Sequence, residues 1–147
     1  MGGGGFVESA PMFTRIDHIG IAVADLDQAI RLYRDTMGMR LSHREVVDSQ
    51  ALEAALLDIG DGHIELMSPL YEDSVIGKFI ARKGEGMHHV AYAVPDINLA
   101  LREAKAAGME PIDAEPRIGI RQSKVVFFHP RSTGGVLTEL VQPSEEH

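Results

Sequence analysis

The chain contains a diverged copy of itself, and a tandem repeat limits it to folds in which two like halves share a core. The first copy reads Asp17-His18-Ile19-Gly20-Ile21-Ala22-Val23-Ala24-Asp25-Leu26, the second His88-His89-Val90-Ala91-Tyr92-Ala93-Val94-Pro95-Asp96-Ile97. His89 follows His18 by 71 residues, and Asp96 follows Asp25 by the same interval. Gly38-Met39 and Gly108-Met109 recur 70 residues apart. Late in each copy comes a short apolar run with an acid inside it: His63-Ile64-Glu65-Leu66-Met67, then Leu137-Thr138-Glu139-Leu140-Val141.

Local patterning gives each half the same order of elements. Residues 15–24 alternate, with Ile19, Ile21 and Val23 on one side and His18, Gly20 and Ala22 on the other, a period-two strand. Asp25 suits an N-cap with Gln28 as its partner, and Leu26, Ala29, Ile30, Tyr33 and Met37 follow helical spacing up to Gly38. Strands are expected at 40–47, 52–59 and 62–67, the last two joined at Gly60-Asp61-Gly62. A linking helix is expected over 73–83. The second half then offers a strand at 87–94, a helix at 96–107, and strands near 110–113, 124–129 and 136–141. The expected fold is therefore α+β: two tandem βαβββ modules, about 15–70 and 86–143, forming a curved mixed sheet. A flexible extension is expected over 1–14. A half of roughly 65 residues buries too little apolar surface to stand alone, so the halves must pair.

Pairing would bring His18, Glu65, His89 and Glu139 together. A lone strand histidine is ordinarily a hydrogen-bonded structural residue, and an acid within an apolar strand ordinarily faces solvent. The recurrence of both residue types in both copies favours a divalent-metal site. His88 competes with His89, but in a regular strand the two point to opposite faces, and the repeat selects His89. Imidazole and carboxylate without thiolate suit Co²⁺, Mn²⁺, Ni²⁺, Fe²⁺ or Zn²⁺, and two imidazoles argue against Ca²⁺. An octahedral ion would keep two positions for two oxygens of one substrate. Such an ion stabilises charge developing on a carbonyl oxygen, which suits removal of the neighbouring proton by a positioned base.

Bulk properties exclude other classes. The 147 residues are 44% hydrophobic and 24% charged, as in a soluble globular protein. Net charge of −8 argues against nucleic acid as a partner. No stretch approaches the ~18 apolar residues of a membrane span. The absence of cysteine fits a cytoplasmic protein.

Several segments together carry a resemblance: Asp17 through Val23, Gly60 through Pro69, Gly84-Glu85-Gly86-Met87-His88-His89-Val90-Ala91, and His129-Pro130-Arg131-Ser132-Thr133-Gly134-Gly135-Val136-Leu137-Thr138-Glu139-Leu140. Over about residues 15–143 the chain resembles the methylmalonyl-CoA epimerase family of the vicinal oxygen chelate (glyoxalase/bleomycin-resistance-like) superfamily. The resemblance implies metal ligands at His18, Glu65, His89 and Glu139, Co²⁺ as the foremost metal, and a homodimer. It also implies a coenzyme A thioester whose 2R and 2S forms interconvert by proton exchange at C2. Some family members carry glutamine at the position of Glu65. Some bacterial relatives have a further catalytic glutamate where this chain has Ala54. Its neighbour Glu53 would replace it only if a bulge turned the strand, and Glu139 is the other acid–base candidate. Ile118-Gly119-Ile120-Arg121-Gln122-Ser123 departs from the glycine-rich loop usual before Lys124. Arg117, Arg121, Lys124 and Arg131 are candidate contacts for coenzyme A phosphates, against a reading as solvated surface charge. Two alternatives stay open: a glyoxalase I-type isomerase of a glutathione adduct, and a metal-free ligand-sequestering protein of the same fold.

Overall fold

A computed structural model describes residues 12–144. Residues 1–11 of the expected extension lie outside the described residues. The strands are β1 (Arg15–Ala22), β2 (Arg40–Val47), β3 (Leu52–Ile59), β4 (Gly62–Pro69), β5 (Gly86–Ala93), β6 (Arg117–Ile118), β7 (Lys124–Phe128) and β8 (Thr138–Gln142). The helices are α1 (Leu26–Ile30), α2 (Val75–Lys83) and α3 (Ile97–Ala106). All eight strands form one mixed sheet in the order β2-β3-β4-β1-β5-β8-β7-β6. This is the expected α+β architecture.

The repeat is visible in the pairing. β1 runs parallel to β4 in the first half, and β5 runs parallel to β8 in the second. β1 and β5 pair antiparallel at the centre and join the halves. Asp25 and Asp96 cap α1 and α3 as their spacing predicts, each accepting a bond from the backbone N–H three residues on. α1 buries Leu26 and Ile30 against Ala55, Leu57 and Leu66, and α3 buries Ile97, Ala100, Leu101 and Ala104 against Val126, Phe128 and Leu140. A third apolar cluster lies under α2, where Ile76 meets Ala22, Val47, Leu52, Ala54 and Met67.

Two expectations are corrected. The first helix does not stay α-helical to residue 37; it widens to π geometry over Arg31–Thr36 before Gly38 ends it at φ 81°. The strand expected near 110–113 is reduced to one bridge, Pro111 to Phe128, held by the Ile112 N–H on the Phe127 carbonyl and the His129 N–H on the Glu110 carbonyl. The two-residue β6 pairs with β7 instead. Among the described residues no helix is long and apolar enough to cross a membrane.

Candidate metal centre

Two rows of residues across the central strands build the site. In the first, Glu65 on β4 and His89 on β5 flank Gly20 on β1. In the second, His18 on β1 and Glu139 on β8 flank Ala91 on β5. Gly20 and Ala91 occupy equivalent places in the repeat, so each ligand pair straddles a small residue. The four side chains are buried, and one ligand atom from each lies within 4.8 Å of the others.

The internal distances test whether a cation fits. His18 Nε2 lies 2.9 Å from Glu65 Oε1, 2.9 Å from Glu139 Oε1 and 3.0 Å from His89 Nε2. His89 Nε2 lies 3.0 Å from Glu139 Oε1 and 3.9 Å from Glu65 Oε1. Bonds of ~2.1 Å to one ion give neighbouring octahedral ligands about 3.0 Å apart and tetrahedral ones about 3.4 Å apart. Four of these five separations match octahedral edges. Protons alone serve the cluster poorly: Glu139 Oε1 is buried within 3.0 Å of both Nε2 atoms yet accepts no well-aligned hydrogen bond from either, and the two Nε2 atoms, each with one lone pair or one proton, face each other. The donor set fits a borderline divalent ion.

Electrostatics agree. Burial works against a charged His18, yet the Glu65 and Glu139 carboxylates and the Asp17 hydrogen bond hold its pKa well above the ordinary imidazole value. Burial likewise opposes ionisation of Glu139, but His18 and His89 hold its carboxyl well below the usual range. In both cases the partners outweigh desolvation: the imidazolium and the carboxylate stabilise each other, and a bound cation would take the place of the imidazolium proton.

The other predicted residues are placed differently. Glu53 does not reach the centre. β3 pairs with β4 in unbroken register, with Leu56 opposite Glu65, so no bulge turns Glu53 inward. Its carboxylate instead accepts a hydrogen bond from Arg44 at 2.9 Å. Ala54 is fully buried in the cluster under α2. Arg131 is held at the surface by Glu110 at 2.9 Å. Lys124 is exposed on β7. Arg121 lines a cavity of about 530 Å³ with Arg15, Arg40 and His63, away from the four ligands. Arg117 does line the cavity of about 390 Å³ that reaches His89. Arg82 and Lys83, in the last turn of α2 and not among the residues singled out from the sequence, line an adjoining cavity of about 460 Å³.

Two residues beside the ligands were also missed in their roles. Asp17 Oδ2 bonds His18 Nδ1 at 2.8 Å, and His88 Nδ1 bonds His89 Nδ1 at 2.9 Å. The expectation that His88 points away from His89 is thus corrected. The β1–β5 register skips at both places, and each skip inserts the residue before the histidine.

The family model described as Glyoxalase/Bleomycin resistance protein/Dioxygenase superfamily matches residues 17–127. The chain belongs to this superfamily. It is 35% identical over 133 residues to the ethylmalonyl-CoA/methylmalonyl-CoA epimerase of Cereibacter sphaeroides, covering 89% of this chain and 99% of that one. The crystal structure of methylmalonyl-CoA epimerase from Mycobacterium tuberculosis superposes with a TM-score of 0.90 at 40% identity, over 95% of both chains. A methylmalonyl-CoA epimerase in complex with methylmalonyl-CoA and NH₄⁺ gives a TM-score of 0.87 at 40% identity, over 90% of this chain and 96% of that one. Enzymes of that name are isomerases, the class expected from the sequence.

Proposed function

We propose that this superfamily member is a metal-dependent epimerase of a malonyl-type coenzyme A thioester, with methylmalonyl-CoA as its substrate. One observation carries the proposal: two imidazoles and two carboxylates converge on one buried point at octahedral spacing. The names of the relatives supply the substrate class. His18, Glu65, His89 and Glu139 would hold the ion, with Co²⁺ the foremost choice. A bound divalent cation would stabilise negative charge on the thioester oxygen while C2 loses its proton.

The chain's own groups then move the proton. Glu65 and Glu139 stand on β4 and β8, the strands on either side of the central β1–β5 pair. They flank the centre from opposite sides, as an epimerisation through two acid–base groups requires. Glu139 takes or returns the proton on one face of C2. Glu65 does so on the other, the task the sequence had assigned to Glu53. The coenzyme A arm occupies the cavities of about 390 and 460 Å³, with Arg117, Arg82 and Lys83 as its phosphate contacts in place of Arg121, Lys124 and Arg131. Met87 and Val136, exposed at the edge of the second cavity, offer apolar surface for the expected homodimer, which sedimentation analysis would reveal.

Incubation with methylmalonyl-CoA in heavy water, with Co²⁺ and with chelator, tests the proposal. Fast, metal-dependent deuteration at C2, read by mass spectrometry, is expected. Background incorporation from folded, metal-loaded protein would reject the substrate and favour the glyoxalase I-type reading. A chain that takes up no divalent ion would favour the ligand-sequestering one. A Glu65→Gln variant separates the two bases. The amide oxygen still ligates, so metal binding persists, while epimerisation falls and C2 exchange survives for one epimer only.

A further inference from the structure

The two register skips in the central strand pair have a common consequence. Along β1, Ile16 pairs with Tyr92 and His18 with Ala91, so Asp17 is the extra residue. Along β5, Gly20 pairs with His89 and Ile21 with Met87, so His88 is the extra residue. Each bulge falls immediately before a ligand histidine, one in each half. In an unbroken strand the preceding side chain would sit on the opposite face. A bulge brings neighbouring side chains towards one face and re-aims them, a device found beside active sites. Here each inserted side chain meets Nδ1 of the histidine that follows it, at 2.8 Å for Asp17 and 2.9 Å for His88.

We propose that Asp17 and His88 are paired positioning residues, placed by the two bulges to hold His18 and His89 with Nε2 aimed at the metal. The proposal rests on reading the four-residue cluster as a metal centre. An imidazole that ligates through Nε2 carries its proton on Nδ1 and must donate it. Asp17 accepts that bond as a carboxylate, itself held by Arg15 at 3.1 Å. His88 accepts it as a neutral imidazole, which fixes its own proton on Nε2. Its orientation is set by edge-to-face packing on Phe79 of α2, with ring centroids 4.8 Å apart at 81°. His89 in turn packs edge-to-face on Phe127 at 5.1 Å. The linking helix is thereby coupled to one metal ligand through a single ring.

Binding of Co²⁺ to the full chain, measured by competition with a coloured chelator, tests this directly. Asp17→Ala and His88→Phe should each weaken binding by about 10- to 100-fold, the usual effect of losing a partner behind a ligand. Asp17→Asn and His88→Asn keep an acceptor oxygen near the lost atom and should recover most of the affinity. Unchanged affinity in folded Asp17→Ala and His88→Phe would overturn the proposal. So would asparagine variants as weak as those two, since packing alone would then explain the loss. If the two disruptive variants fail to fold, ¹⁵N spectra of the zinc-loaded wild type serve instead. His18 and His89 should be protonated on Nδ1 and His88 on Nε2; the opposite tautomer at His88 overturns the assignment. Wild-type protein without metal affinity would refute the metal centre itself, a different failure.

Discussion

Gly20 is where a single methyl group should remove a metal ligand without unfolding the protein. It lies on β1 between Glu65 and His89, and the His89 ring occupies the space its side chain would fill. A Cβ built there falls 2.5 Å from His89 Nδ1 and 2.8 Å from Nε2, where ordinary contact begins at 3.4 Å. The ring must retreat by at least about 0.9 Å (3.4 less 2.5), whereas a metal site tolerates departures of about 0.2 Å in its bond lengths. Gly20→Ala should therefore lose His89 as a ligand and weaken Co²⁺ binding by about 100-fold or more, equivalent to ~2.7 kcal/mol. The backbone at Gly20 needs no left-handed conformation, and alanine in a strand is favoured over glycine by about 0.5–1 kcal/mol. That gain offsets part of the steric cost, so the metal-free variant should keep its fold. Calorimetric titration reads the affinity, and thermal unfolding in chelator reads the fold. In a His89→Ala background the ring is gone, and Gly20→Ala should cost little more, a strongly non-additive cycle. Repeat symmetry alone points the other way, because Ala91 at the equivalent position already carries a methyl group beside His18. Wild-type metal affinity in Gly20→Ala, or additive losses in the double variant, would refute the steric reasoning.

Glu53→Gln should leave epimerisation within about twofold of wild type and cost at most ~1 kcal/mol, the range for an exposed ion pair such as Arg44–Glu53; a large fall in turnover would return Glu53 to the catalytic set. The metal-free protein should lose stability as pH rises above about 6.5, because the raised His18 pKa stabilises the fold below the unfolded value and that contribution disappears as pH climbs through the folded one. The lowered Glu139 pKa acts oppositely, its contribution being lost as pH falls below the ordinary carboxylate range. Co²⁺ should displace the His18 proton and flatten the alkaline loss, which thermal midpoints with and without chelator across pH 6–9 would show. Gln122→Gly should raise stability by up to about 1 kcal/mol in a denaturant titration, because Gln122 holds φ 61° next to Arg121 at φ 56°, a left-handed region costly for side-chain-bearing residues.

Much of this architecture can be read along the chain because it depends on local chemistry. The aspartate caps at Asp25 and Asp96, the glycine stop at Gly38 and the alternation of β1 are properties of neighbouring residues, and a repeated order of elements implies a repeated fold. The four-residue cluster was legible for the same reason: two copies of one strand pattern place a histidine and a glutamate at equivalent points, and superposing the halves unites them. What the sequence could not determine lies in the register between strands that are distant in the chain. Nothing in Asp17-His18 or His88-His89 announces a bulge. Strand periodicity predicts opposite faces for each pair, and only the antiparallel meeting of β1 with β5 inserts the extra residue that turns Asp17 and His88 behind His18 and His89. The regular register of β3 against β4 likewise decided that Glu53 faces Arg44 and that Glu65 is the carboxylate across the centre from Glu139. Pairing partners set which face a side chain takes, and a skip of one residue reverses it. The sequence by itself therefore determined the two modules and the residue types at their junction; the tertiary pairing decided which side chains converge on the buried cluster, back its histidines or face solvent.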